Sequence, residues 1–269
     1  MKIGLIPLLL TALLISAPSQ AVDSKLIRLA TTTSTDNSGL LNVLLPEFTR
    51  ETGYKVHVIA VGTGKALRLG RDGDVDVVLV HAPNAENEFV EAGYGVKRHP
   101  VMYNDFVVIG PQSDPAKVSS AKSIDQVFVR INNSKSLFIS RGDNSGTYKK
   151  ELSIWKQSGI KPTGSWYREV GQGMGKVLQM ANEMDAYTLT DRGTWLAYQS
   201  KIQLKISFEG DSSLFNPYGI IAVNPARYAD INYAGSTSLI NWITSKTKGQ
   251  PLIAEFKMQG EQLFTPIAD

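Results

Sequence analysis

The chain of 269 residues is 42% hydrophobic and 20% charged and has no cysteine, which excludes a disordered segment, a disulfide scaffold and a cysteine nucleophile. Lys+Arg 28 against Asp+Glu 25 leaves a formal charge of +3, with no basic run of the kind that nucleic-acid binding requires. His57, His81 and His99 are the only histidines, too little material for a zinc centre.

In chain order, Lys2, the apolar run Ile3 to Ile15 and the small residues Ser19 and Ala21 have the form of a secretory signal. Cleavage is expected after Ala21, and no cysteine follows it for lipid attachment. Leu26 to Thr31 reads as a strand, Leu40 to Thr52 as a helix, Lys55 to Val61 as a strand and Ala66 to Leu69 as helical. Val75 to Val80 is a buried strand, Asn84 to Ala92 a helix and Phe106 to Ile109 a strand, with His99 in a loop before it. The turn-rich stretch Gly110 to Pro115 opens a second series: helix Ile124 to Arg130, strand Ser136 to Ser140, helix Thr147 to Gln157. Strand Trp166 to Val170, helix Met174 to Asn182 and strand Ala186 to Leu189 follow. The pattern restarts near Asn216 with a strand at Gly219 to Val223, and closes with helices at Ser238 to Thr247 and Pro251 to Gln262. Such alternation predicts an α/β fold of two lobes, each an open, mainly parallel sheet flanked by helices. Residues 22–109 and 216–269 would form the first lobe and 110–215 the second, with two crossings and a ligand cleft at the hinge. A single open sheet is the competing arrangement.

Small hydroxyl and glycine residues cluster where predicted strands end and helices begin. The clusters are Thr31 to Thr35, Gly62 to Gly64, Ser140 to Thr147, Gly171 to Gly175 and Thr190 to Thr194. A helix start exposes unpaired N–H groups and about half a positive charge, and such ends meet at the carboxyl edge of an open α/β sheet. Any one cluster reads first as an ordinary helix cap; several together point to a bound oxyanion. Arg141, among small residues at a strand end, can grip an oxyanion while paired with Asp143.

Other motifs fail. Gly62-Thr63-Gly64-Lys65 lacks the first glycine and the final Ser/Thr of a phosphate loop, since Ile59 and Ala66 stand there. No nucleophile elbow occurs. Asp72, Asp74 and Asp76 lack the downstream glutamate of a calcium loop. Tyr167, Tyr187 and Trp195 read as packing residues, and His57 and His81 as core or surface.

Thr31-Thr32-Thr33-Ser34, Val61-Gly62-Thr63-Gly64, Ser140 to Thr147, Gly171 to Gly175 and Leu189 to Thr194 together resemble the tungstate-binding proteins of bacterial ABC importers. The resemblance runs through essentially the whole mature chain; Tyr148 departs from it, standing where many relatives have histidine. It implies a monomeric periplasmic binding protein that closes on tungstate, or the near-isosteric molybdate, and delivers it to a membrane permease. No cofactor, no bare-cation site, no catalytic residue and no nucleic-acid partner is implied. The implied ligand residues are Thr31, Ser34, Thr63, Arg141, Ser145, Thr147 and Thr194, with Thr32, Thr33 and Thr190 shaping the loops. A phosphate-binding protein is the same-class alternative, because Arg141 to Thr147 also fits its Arg-x-Asp-x-Ser-Gly-Thr pattern. An oxyanion-processing enzyme such as a phosphatase is the different-class one, and would need a nucleophile or metal ligands that no constellation here supplies.

Overall fold

The structure is a computed structural model that describes residues 25–143 and 145–268; the expected signal segment lies outside them. The chain begins β1 (Leu26–Thr32), α1 (Thr33–Asn37), α2 (Leu40–Thr52), β2 (Lys55–Val61), α3 (Thr63–Asp72), β3 (Val77–Val80) and α4 (Pro83–Glu91). On α2 the apolar spacing of Leu40, Leu44 and Phe48 places all three on one buried face. Gly53 ends that helix in the left-handed conformation, its N–H bonded to the Thr49 carbonyl.

The next element, β4 (Gly95–Gly110), is the longest strand. It absorbs the expected short strand at Phe106 to Ile109 and also His99, which pairs with Ile220 instead of lying in a loop. The expectation missed the first half because Lys97, Arg98, His99 and Pro100 interrupt the apolar pattern. The second series is α5 (Ile124–Ser134), β5 (Phe138–Ser140), α6 (Gly146–Gln157), β6 (Tyr167–Glu169), α7 (Met174–Glu183), β7 (Thr188–Asp191), α8 (Arg192–Tyr198) and β8 (Lys205–Phe208). The return comprises β9 (Phe215–Val223), α9 (Tyr233–Ile243), α10 (Gly249–Glu255), β10 (Lys257–Met258), β11 (Glu261–Gln262) and β12 (Thr265–Pro266).

The main sheet runs β12-β4-β9-β3-β1-β2. β1 pairs in parallel with β2 and β3, whereas β9 is antiparallel to β3 and β4. Beyond residue 105, β4 changes partners and pairs antiparallel with β7 and β8. Parallel strands therefore lie beside long antiparallel crossing strands, rather than making up nearly the whole of each sheet. One apolar cluster joins Phe106 of β4 to Phe128, Trp155 and Tyr187 of the second series. The largest joins Ile27 and Phe48 to Val177 and Leu196, tying the two series together near the crossings.

The expected helix Pro251 to Gln262 is a correction. It stops at Glu255, because Gln259 and Gly260 adopt positive φ and turn the chain into the β10–β11 hairpin. A two-residue turn of that hand suits a hairpin and cannot continue a helix.

Candidate functional site

A cleft of about 770 Å³ opens between the two series. It is walled by the starts of α1, α3, α6, α7 and α8, through residues 32–34, 62–65, 145–147 and 173–175 and through Asp191, Gly193 and Thr194. The strand-to-helix geometry brings these distant segments to one place. Gly62 and Gly173 cap α3 and α7 without a side-chain hydrogen bond, so the first N–H groups of those helices face the cleft unspent. Ser145 caps α6 by accepting from the Tyr148 N–H at 3.2 Å, and its hydroxyl donates to the Asp143 carboxylate.

Arg141 lies just beyond β5 and lines the cleft. Its Nε donates to Asp143 Oδ2 at 2.7 Å, and the Ser145 N–H donates to Asp143 Oδ1 at 2.9 Å. Both carboxylate oxygens are thus turned to the protein. Burial pushes the Asp143 carboxyl up, but the Ser145 hydrogen bonds and the Arg141 guanidinium outweigh it and hold it below its ordinary value. Gly142 makes the turn at φ +62°, and a Cβ there would lie 2.7 Å from Glu169 Cβ. The loop is held alongside β6 by the Gly171 N–H, which donates to the Arg141 carbonyl at 2.9 Å. Behind it, buried Glu151 accepts from the Ser140 hydroxyl (2.8 Å), the Tyr167 hydroxyl (2.8 Å) and the Trp155 indole (3.1 Å). Burial pushes the Glu151 carboxyl up to about 7 against those three donors. Tyr148 reaches away to Glu169, whose hydrogen bond pushes its phenol up to about 12.

Of the residues expected from the sequence, Ser34, Thr63, Arg141, Ser145, Thr147 and Thr194 line the cleft. Thr31 does not. It is fully buried, and its hydroxyl donates to the Leu79 carbonyl of β3 at 2.7 Å. Thr32 and Thr33 line the cleft instead, and Thr32 accepts from the Thr35 N–H at 3.2 Å as the cap of α1. The Thr194 hydroxyl donates to Asp191 Oδ2 at 2.7 Å, so its proton is already used inside the α8 cap. Arg192, of the same motif, grips Asp105 through two bonds of 2.6 Å and also Glu209, and belongs to the crossing strands rather than to the cleft.

Sequence reasoning missed Lys65, Arg68 and His81 in the cleft wall. His81 follows β3, with Nδ1 3.0 Å from Asn216 Oδ1, while Asn216 Nδ2 donates to Asn104 Oδ1 at 2.8 Å. That orientation makes Asn216 Oδ1 the acceptor and puts a proton on His81 Nδ1. Burial pushes the imidazolium of His81 down, which favours the neutral ring. The signal for Lys65 and Arg68 was their spacing of three on α3, which puts them on the same side of the helix.

Residues 16–247 match the PBP superfamily domain. The tungstate-binding protein TupA of Peptoclostridium acidaminophilum is 52% identical over 246 residues, covering 90% of this chain and 86% of the relative. This chain belongs to the TupA family of the PBP superfamily. TupA of Campylobacter jejuni is 44% identical over 236 residues, covering 86% of this chain and 87% of the relative. Among solved structures, the tungstate-binding protein TupA of Desulfovibrio alaskensis superposes with a TM-score of 0.85 at 46% identity, covering 91% of this chain and 99% of that chain. A tungstate ABC transporter structure from Geobacter sulfurreducens gives 0.78 at 51% identity, covering 86% and 99%. Membership of the TupA family fixes the fold class as a periplasmic binding protein of mixed α/β type.

Proposed function

We propose that this chain is the solute-binding component of an ABC importer and captures tungstate, with molybdate as its near-isostere. Its ligand shell in this reading is Ser34 and Thr63 from one wall, Arg141, Ser145 and Thr147 from the other, and the open N–H groups of α3 and α7. The observation that carries the choice of anion is the position of Asp143. Near neutral pH phosphate retains a hydrogen, which a carboxylate in the site would accept; tungstate is fully deprotonated and offers only acceptors. Asp143 spends both oxygens on Arg141 and Ser145, and Asp191 spends both on Thr194. A site of donors with its carboxylates turned inward suits a bare dianion.

The chain is then a carrier and not an enzyme, a reading supported by relatives that are named as binding proteins. The reading includes a monomer that leaves the cytoplasm through a signal segment cleaved after Ala21 and meets a membrane permease. It also includes a division into residues 22–109 with 216–269 and residues 110–215. The change of partners along β4 after residue 105, from β9 to β7 and β8, supports two lobes, with residues 106–109 paired to the second. The test is calorimetric titration at pH 7.5. Tungstate should bind tightly, and phosphate in large excess should fail to compete. Tight phosphate binding that disappears in Asp143→Asn would replace tungstate by phosphate as the ligand.

A further inference from the structure

We propose that Lys65 and Arg68, on the cleft side of α3, govern how fast the oxyanion is captured by supplying the positive surplus of the cleft. The inference rests on the oxyanion reading above and adds a kinetic role to it. The charged residues lining the cleft are Lys65, Arg68, Arg141 and Asp191. Arg141 is matched by Asp143 at 2.7 Å, so its charge is largely cancelled beyond contact range. Without Lys65 and Arg68, Asp191 would leave the wall negative, and a dianion approaching through water would be repelled. The helix starts do not compensate at that range, because their partial charges act only over about the first turn.

Both side chains suit this task. They are exposed, and neither forms an ion pair among the described residues. Every other arginine that lines the cleft or lies beside it, Arg141 and Arg192, is tied to a carboxylate. An exposed, uncommitted cation in a concave wall raises the local anion concentration and the encounter rate. It contributes less to holding the anion once bound, because solvent screens it.

The test is rapid mixing with sodium tungstate, followed by tryptophan fluorescence across a range of salt. The variant carrying Lys65→Gln and Arg68→Gln should associate about ten-fold more slowly at low ionic strength. Its salt dependence should be shallower than that of the wild type, and its dissociation much less affected. The charge-keeping pair Lys65→Arg with Arg68→Lys should restore the association rate. Unchanged association at low salt would overturn the proposal, as would a rise in dissociation as large as the fall in association, which would make these residues contact ligands. A wild type that does not bind tungstate would refute the function itself. A wild type that binds tungstate with salt-independent association would refute only the capture role.

Discussion

Arg141 and Asp143 work as one unit, since the guanidinium approaches the cleft already held at its Nε by the carboxylate. A hydrogen bond to a charged group contributes about 1.5–3 kcal/mol. Arg141→Ala, judged by titration, should therefore weaken tungstate binding by about 100-fold or more. Arg141→Lys should recover only part, because an ammonium lacks the planar fork. Asp143→Asn should cause a smaller loss through a less well held arginine, and full affinity in Arg141→Ala would place that residue outside the site. Glu151 carries part of the pH dependence, beside Glu86, whose carboxyl burial likewise pushes up to about 7. The Glu151 carboxyl lies at about 7 when folded, above the ordinary 4.5, so the folded state binds this proton more tightly than the unfolded state. The stabilisation is complete below about 4.5 and fades as pH rises through about 7. Melting temperature should rise as pH is lowered from 8 to 5.5, and Glu151→Gln should flatten that slope; an identical slope in the variant would contradict the assignment. At this scale the sequence was readable where a residue type was unusual for its place, as with Arg141 among glycines and serines. Thr31 was misplaced because neighbouring strand residues face opposite sides, and a run of threonines does not reveal which one enters the sheet. Lys65 and Arg68 were passed over because cations on a helix read as solvated surface.

The strand-to-helix turns are the elements that make the cleft, and the tightest of them depends on glycine. At Gly142 a side chain would face both a left-handed backbone and the Glu169 Cβ at 2.7 Å. Gly142→Ala should lower stability by about 1–2 kcal/mol, read by denaturant unfolding, and should weaken tungstate because the turn carries Arg141. Wild-type affinity with wild-type stability would show that the turn can be remade without glycine. Elements with strong periodicity and clear boundaries were legible: α2 and β2 span the residues that their patterns indicated. For the short helices α1 and α8 only the starts were marked, by their hydroxyl and glycine clusters, because five and seven residues are too few to display a period. The C-terminal hairpin escaped because the turn at Gln259-Gly260 interrupts a stretch that otherwise reads as helical.

For the whole molecule, the decisive feature is that β4 and β9 run between the two series and pair with each other where they cross. Residues 104 and 105 of β4 pair with 216 and 215 of β9, and at that level Asn216 connects Asn104 to His81 in the cleft wall. A cleft of about 770 Å³ is far larger than one tetrahedral oxyanion. Donors from both walls can surround the same anion only if the walls approach about these crossings, and the anion then favours the closed state. Two α/β series and a short returning tail were legible in the sequence, but the length of the crossing strands was not, because charged residues break their apolar pattern. The most direct test of a shared oxyanion site is a crystal structure of the tungstate complex, with anomalous data collected at a tungsten absorption edge. The expected result is one strong peak in contact with Arg141, Ser145 and Thr147 on one side and with Ser34 and Thr63 on the other. A peak touched by one wall alone, or lying outside the cleft, would contradict it.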